Sequence, residues 1–217
     1  MYNLGLVTIV IIAANVVMSF KGFEDRLFFE KYKFNVGNIR RGEQIRMFSS
    51  GFLHIDVTHL LFNMFTLYFF ADVVISKLGN LNFIIIYLAS LIFGSLLSLF
   101  FHKEEYWYSA VGASGAVTGI LYAAILLQPD MSLYMFFVPI PIPGYVFGIG
   151  YLLYSIYGMK KRIGNIGHDA HFGGAIGGYA VTLLLKPSLF ETDLGHIGLL
   201  SLPIIILFVL HKTGKLN

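Results

Sequence analysis

The sequence contains no cysteine. A thiol nucleophile, a disulfide framework and a thiolate metal site are therefore excluded, and the redox compartment is left open. Charge is almost as scarce. Twelve acidic and fifteen basic residues make up 12% of the 217 positions, against about 25% in soluble domains. Hydrophobic residues fill the difference, at 57% with a mean hydropathy of +0.75, so an all-α integral membrane protein is expected. The length admits one or two domains, but the apolar segments recur without a soluble interruption and predict one helical bundle. Lys and Arg lie almost entirely between those segments and set the pI near 9.0. No basic run is interleaved with exposed aromatics, so lipid headgroups rather than nucleic acid are the expected anionic contact. The first twenty residues lack a basic leader and a convincing small-residue cleavage site, so Tyr2–Ser19 reads as a retained span. No repeat period or low-complexity tract is present.

Further spans are predicted near Val57–Ile75, Phe83–Phe101, Ser114–Gln128, Leu133–Gly158, Ala170–Lys186 and His196–Leu210. A full crossing takes roughly 17–25 apolar residues. The fourth and seventh segments fall short, which predicts shortened or sheltered helices. The fifth is too long and carries Pro139, Pro141 and Pro143, predicting an irregular beginning and a regular helix from about Gly144. The connection Lys21–Asp56 mixes Phe23, Phe28, Phe29, Tyr32 and Phe34 with Arg26, Lys31, Lys33, Arg40, Arg41 and Arg46. Rings among basic residues predict a segment lying in the membrane interface.

Polar residues in the apolar segments are few and grouped with glycine. Ser114 lies in Gly112-Ala113-Ser114-Gly115 and opens the fourth span; His171 lies in Ala170-His171-Phe172-Gly173-Gly174 and opens the sixth. A polar side chain there is costly unless it has a partner or a job. A helix start offers free N–H groups to a developing oxyanion, and a histidine can accept a hydroxyl proton and return it to a leaving amine. Each residue has a plainer explanation: Ser114 as an N-cap, His171 as an interfacial side chain bonded to a loop carbonyl. The spacing of Gly115 with Gly119, and of Gly174 with Gly178, lets two helix backbones approach in lipid, which brings Ser114 toward His171. His59 and Asn63 share a helical face four residues apart. They could stabilise an oxyanion or simply tie two helices together. Asp169, two residues from His171, faces about 200° away on a helix, so a Ser–His dyad without a carboxylate is expected. No His-Glu-x-x-His pair occurs and His168, Asp169 and His171 are poorly spaced as ligands, so neither a metal nor another cofactor is expected. Asp72 stands alone in its span, against a two-aspartate protease.

These residues resemble the rhomboid family of intramembrane serine proteases. The resemblance rests on Gly112-x-Ser114-Gly115, on Ala170-His171-x-x-Gly174-x-x-x-Gly178, and on His59-x-x-x-Asn63 preceded by His54, in the family's order. Arg46 stands where the family often has a Trp-Arg pair, with Ile45 in place of the Trp. The resemblance implies a six-helix core over residues 1–187, and a linker with a seventh helix over 188–217. It implies Ser114 as nucleophile, His171 as general base, and His59, Asn63 and the Ser114 N–H as the oxyanion site. It also implies a gate near the fifth span, a cap loop over Lys160–His168, transmembrane protein substrates, and a bacterial cytoplasmic membrane with the site toward the outer side. Nothing fixes the oligomeric state. Thr118 stands where many members place an aromatic that packs on the histidine, so another residue must orient His171, with Tyr151 and Tyr154 as candidates. In the family's orientation only Lys77 and Lys186 lie in inner loops, the reverse of the positive-inside rule. Two other functions fit the composition. A non-proteolytic relative that binds membrane clients would usually have lost Ser or His. A small-solute carrier predicts inverted repeats, and none is visible.

Overall fold

The computed structural model describes residues 5–135, 138–161, 163 and 166–216. It is mostly helical. Helix α1 (Leu6–Glu24) runs into Asp25, whose carboxylate accepts the Phe28 N–H at 3.0 Å and caps α2 (Arg26–Tyr32). A short strand β1 (Phe34–Asn35) leads to α3 (Val36–Arg40), capped by the Asn35 side chain, and then to α4 (Arg46–Ser49). The segment is therefore folded, with Phe34, Val36 and Ile39 forming a small core of their own. Buried Arg46 ties it together: Nη1 donates to the carbonyls of Glu30 (2.7 Å) and Lys33 (3.0 Å), and Nε to the Glu43 carboxylate (2.6 Å). A buried guanidinium is tolerable only with this degree of pairing.

Helix α5 (Val57–Phe101) contains one non-helical residue, Gly79, at φ +83° and ψ +168°. Only glycine adopts that conformation without penalty. It divides the element into arms 57–78 and 80–101, each about 33 Å long at 1.5 Å per residue. The arms fold back on one another, since Leu67, Ala71 and Val74 share a core with Phe83, Ile86 and Tyr87. They are the second and third expected spans. A strand β2 (Ser109–Ala110) pairs antiparallel with β1 and precedes α6 (Ser114–Leu127). Residues 115–126 of α6 are all buried. A helix apolar on every side belongs inside a bundle, and enclosure by α5 and its later neighbours explains how α6 can be short.

The fifth segment departs from expectation. Residues 132–135 and 138–143 are not the start of a span but two antiparallel strands, β3 (Ser132–Met135) with β4 (Val138–Pro143), ahead of α7 (Gly144–Lys161). Proline at every second position puts the missing N–H groups on one edge of β4 and leaves the other edge free to pair. The regular helix does begin at Gly144. Helix α8 (His168–Leu185), a turn of helix α9 (Leu189–Thr192) and α10 (Leu194–Lys212) complete the chain. The expectation that the seventh segment falls short is corrected: α10 has 19 residues and, with α1 and α5, is long and apolar enough to cross a membrane. The cap loop expected over Lys160–His168 lies partly outside the described residues, as does the start of the span expected at Tyr2.

Candidate active site

Three glycine-bearing helices meet at the centre. A Cβ on Gly174 of α8 would fall on the carbonyl oxygen of Gly115 in α6, and one on Gly178 would fall on that of Gly119. A Cβ on Gly94, in the second arm of α5, would come 2.8 Å from the Ala170 carbonyl oxygen. The close approach inferred from the α6 and α8 glycines is thus realised, and it puts the neighbours of Ser114 and His171 in backbone contact. Ala170 O lies 3.1 Å from where a Gly115 Cβ would sit.

Ser114 is the first residue of α6, and Ala113, not Ser114, occupies the cap position without a side-chain cap bond. The preceding turn depends on Gly112 at φ +136°, a conformation that strains any side chain. Space forbids a side chain as well. A Cβ on Gly112 would lie 3.0 Å from His59 Nε2 and 3.6 Å from Ser114 Oγ, so both groups converge on one point. His54 fastens the turn from behind. Its Nε2 accepts the Ala113 N–H at 3.4 Å, and its Nδ1 lies 2.8 Å from Ser19 Oγ of α1. The Ser19 hydroxyl donates to Phe52 O at 3.1 Å, which assigns the His54 proton to Nδ1. Burial, with a smaller contribution from His59, pushes the His54 pKa down to about 3 from 6.5, against the pull of Asp56.

That shift carries a pH dependence. Between about 3 and 6.5 the unfolded chain holds a proton on His54 that the folded chain does not. Stability from this residue is therefore full above 6.5 and falls as the pH drops through that window, by up to about 1.4 kcal/mol per unit. Thermal unfolding of purified protein at pH 7 and pH 5 should show a decline, and His54→Asn should show a smaller one.

His59 starts the first arm of α5, its backbone N–H capped by Asp56 Oδ1 at 2.7 Å, with its ring edge-on to His54 at 4.9 Å. Asn63, one turn on, donates to the His59 carbonyl at 2.9 Å, which engages one of its two amide hydrogens. His59, Asn63, Gly112, Ser114, Gly115 and His171 all line a single cavity of about 950 Å³. Arg46, His54, Gly174 and Gly178 do not line it.

On α8 the histidine's own hydrogen bond is made at Nδ1, to Tyr151 Oη of α7 at 2.8 Å. Of the two tyrosines proposed from the sequence, Tyr151 is the one that reaches His171; Tyr154 is exposed and packs on His168 at 5.5 Å. Asp169 does face away. Its carboxylate lies 3.7 Å from Nε2 of His102 at the end of α5, whose Nδ1 is 3.0 Å from Glu105 and whose ring stacks on Tyr108 at 3.6 Å. Burial opposes a charge on His102, but Asp169 and Glu105 together outweigh it and hold its pKa above the ordinary value. This pair anchors the start of α8 to α5.

Sequence reasoning missed the contribution of α5 to the helix packing. Ser90, Gly94 and Ser98 stand four residues apart on its second arm and are buried, the same small-residue spacing that gave α6 and α8.

Residues 41–188, from before Arg46 to beyond Gly178, match the Rhomboid domain family. Relatives include the RHOMBOID-like protein 12, mitochondrial, of Arabidopsis thaliana, 29% identical over 77% of this chain and 54% of its own length. The Rhomboid protein 1, mitochondrial, of Saccharomyces cerevisiae is 32% identical over 62% and 40%. The Rhomboid protease GluP of Bacillus subtilis is 34% identical over 65% and 26%. The chain thus spans about half or less of the length of these curated relatives. With its matched region covering all three glycine-bearing helices and most of the cavity lining, the chain belongs to the rhomboid family.

Proposed function

We propose that the protein is a serine endopeptidase that cleaves transmembrane segments of membrane proteins with a Ser114–His171 dyad. The supporting observation is that the two side chains, on different helices, line one cavity whose geometry is enforced by glycine contacts between those helices. Ser114 Oγ attacks the scissile carbonyl while His171 Nε2 takes its proton. The tetrahedral oxyanion is held by the Ser114 N–H at the start of α6, by His59 and by the second amide hydrogen of Asn63. Collapse expels the amine, which receives the proton from His171, and leaves an acyl ester on Ser114. Water admitted through the cavity attacks that ester, His171 again taking and returning a proton. Substrates are transmembrane segments with small or helix-destabilising residues near the cut, because a continuous helix hides its carbonyls in hydrogen bonds. Membrane lipids surround the protein.

The reading includes a six-helix core over residues 1–187 built from α1, the two arms of α5, α6, α7 and α8. Helix α10, within the 188–217 segment, is the seventh. The site faces the outer side of a bacterial cytoplasmic membrane. The absence of cysteine makes the orientation directly testable. In intact cells a membrane-impermeant maleimide should label Glu104→Cys, on the site side, and leave Lys77→Cys, beside Gly79, unlabelled until the membrane is broken. Labelling of Lys77→Cys alone would reverse the orientation.

The activity is tested by incubating purified protein in liposomes with a model single-pass substrate. Cleavage is expected, and His59→Ala or Asn63→Ala should lower kcat by about 10²–10³-fold, the usual cost of one oxyanion donor. Uncut substrate with folded wild-type protein would favour client binding instead.

A further inference from the structure

The geometry points to Tyr151 as the residue that positions His171, holding its ring from a different helix and fixing which nitrogen carries the proton. This inference rests on the proteolytic reading of the Ser114–His171 pair. Thr118 offers no ring, so α6 cannot pack an aromatic on the imidazole. The contact comes instead from α7. Tyr151 Oη is 2.8 Å from His171 Nδ1, while the two rings are 22° from coplanar with centroids 6.1 Å apart. The contact is thus made by the phenol oxygen at Nδ1, the ring position from which an Nδ1–H is donated.

Tyr151 is itself held. Its hydroxyl lies 3.4 Å from Thr118 Oγ1, so the small residue that removes the ring also supplies an acceptor for the phenol proton. Phe147, one turn earlier, lies nearly parallel to it at 6.0 Å. Tyr122 of α6 donates to the Gly148 carbonyl, pinning the turn of α7 that leads to Tyr151. With Oη giving its proton toward Thr118, its lone pair accepts Nδ1–H from His171. The histidine is then the tautomer whose Nε2 lone pair is free to take the serine proton. The same bond persists when Nε2 is protonated, so the ring is held through both proton transfers. No proton passes to Tyr151. Among the neighbouring titratable groups, His168 meets His171 edge to face at 6.4 Å, His59 lies across the cavity, and Asp169 is turned to His102; none of them replaces this bond.

The test compares wild type, Tyr151→Phe, Thr118→Ser and Thr118→Val, all purified in detergent with ¹⁵N-labelled histidine. Tyr151→Phe keeps the ring and loses only the hydroxyl. It should lower kcat about 10–100-fold, as loss of the group behind a metal-bound imidazole does, with KM unchanged and the unfolding midpoint lowered by no more than a few degrees. Long-range ¹⁵N–¹H correlation, assigned by His171→Gln, should give the Nδ1–H tautomer for His171 in the wild type and a mixture in Tyr151→Phe. Thr118→Val should move both readouts the same way by less, and Thr118→Ser should restore them. Wild-type kcat in Tyr151→Phe overturns the inference, as does a lowered kcat with an unchanged tautomer, which would mark a structural role. If the wild type cleaves nothing, the proteolytic reading fails, and the tautomer comparison still decides the Tyr151 bond.

Discussion

Ser114→Ala should reduce cleavage of a transmembrane substrate by about 10⁴-fold or more, and His171→Ala by a similar amount, since members of a nucleophile–base unit lose activity as a unit. The double variant should be little worse than either single one. Both proteins should stay folded. The Ser114 hydroxyl caps no helix, because Ala113 stands at the cap position of α6, so its removal costs no turn hydrogen bond. The His171 side chain contributes one described hydrogen bond, to Tyr151, at most about 1–2 kcal/mol. Cleavage assays paired with thermal unfolding separate the two effects. Wild-type turnover in Ser114→Ala would remove the serine from the mechanism.

Gly174→Ala should be among the most destabilising single-carbon additions in the molecule. Its new Cβ falls on the Gly115 carbonyl oxygen, a backbone atom that can yield only if α6 and α8 separate. Overpacking of this sort costs about 1–3 kcal/mol, and an obstructing backbone puts it at the upper end, roughly 6–12 °C in Tm at about 2–4 °C per kcal/mol. Gly174→Val should do worse. Gly150, in the interior of α7, is the control: a Cβ there meets nothing within 4 Å. Gly150→Ala should be neutral or stabilising by up to about 1 kcal/mol, the helix-propensity difference between the two residues. The same substitution is thus expected to change sign between α8 and α7, read by thermal unfolding in one detergent. Equal effects at both sites would contradict the close-packed α6–α8 contact.

The α6–α8 contact was legible because small residues at a spacing of four leave a periodic mark in the sequence. Asp169 was legible for a similar reason: helical geometry alone turns it from His171, and the structure gives it to His102. What lay across the cavity was harder. Nothing within α7 distinguishes Tyr151 from Tyr154 until the helix is rotated against α8, and a rotation is set by packing rather than by spacing. The paired strands β3 and β4 hid in an apolar run that reads equally as a strand or as a buried helix. Three alternating prolines excluded the helix, but pairing with β3 depends on where the chain turns. His54 and Arg46 were picked out beside the proposed dyad, yet they bind backbone and side chains and do not line the cavity. A motif marks both the groups that react and the groups that hold them, and only distances separate the two.

The most direct test of a Ser114–His171 dyad is covalent labelling. Purified protein in liposomes is incubated with a fluorophosphonate or β-lactone probe, and the adduct is located by mass spectrometry. The dyad predicts one adduct, on Ser114, that disappears in His171→Ala while the protein stays folded. Unlabelled Ser114 in folded wild-type protein, or labelling that persists without His171, would contradict it.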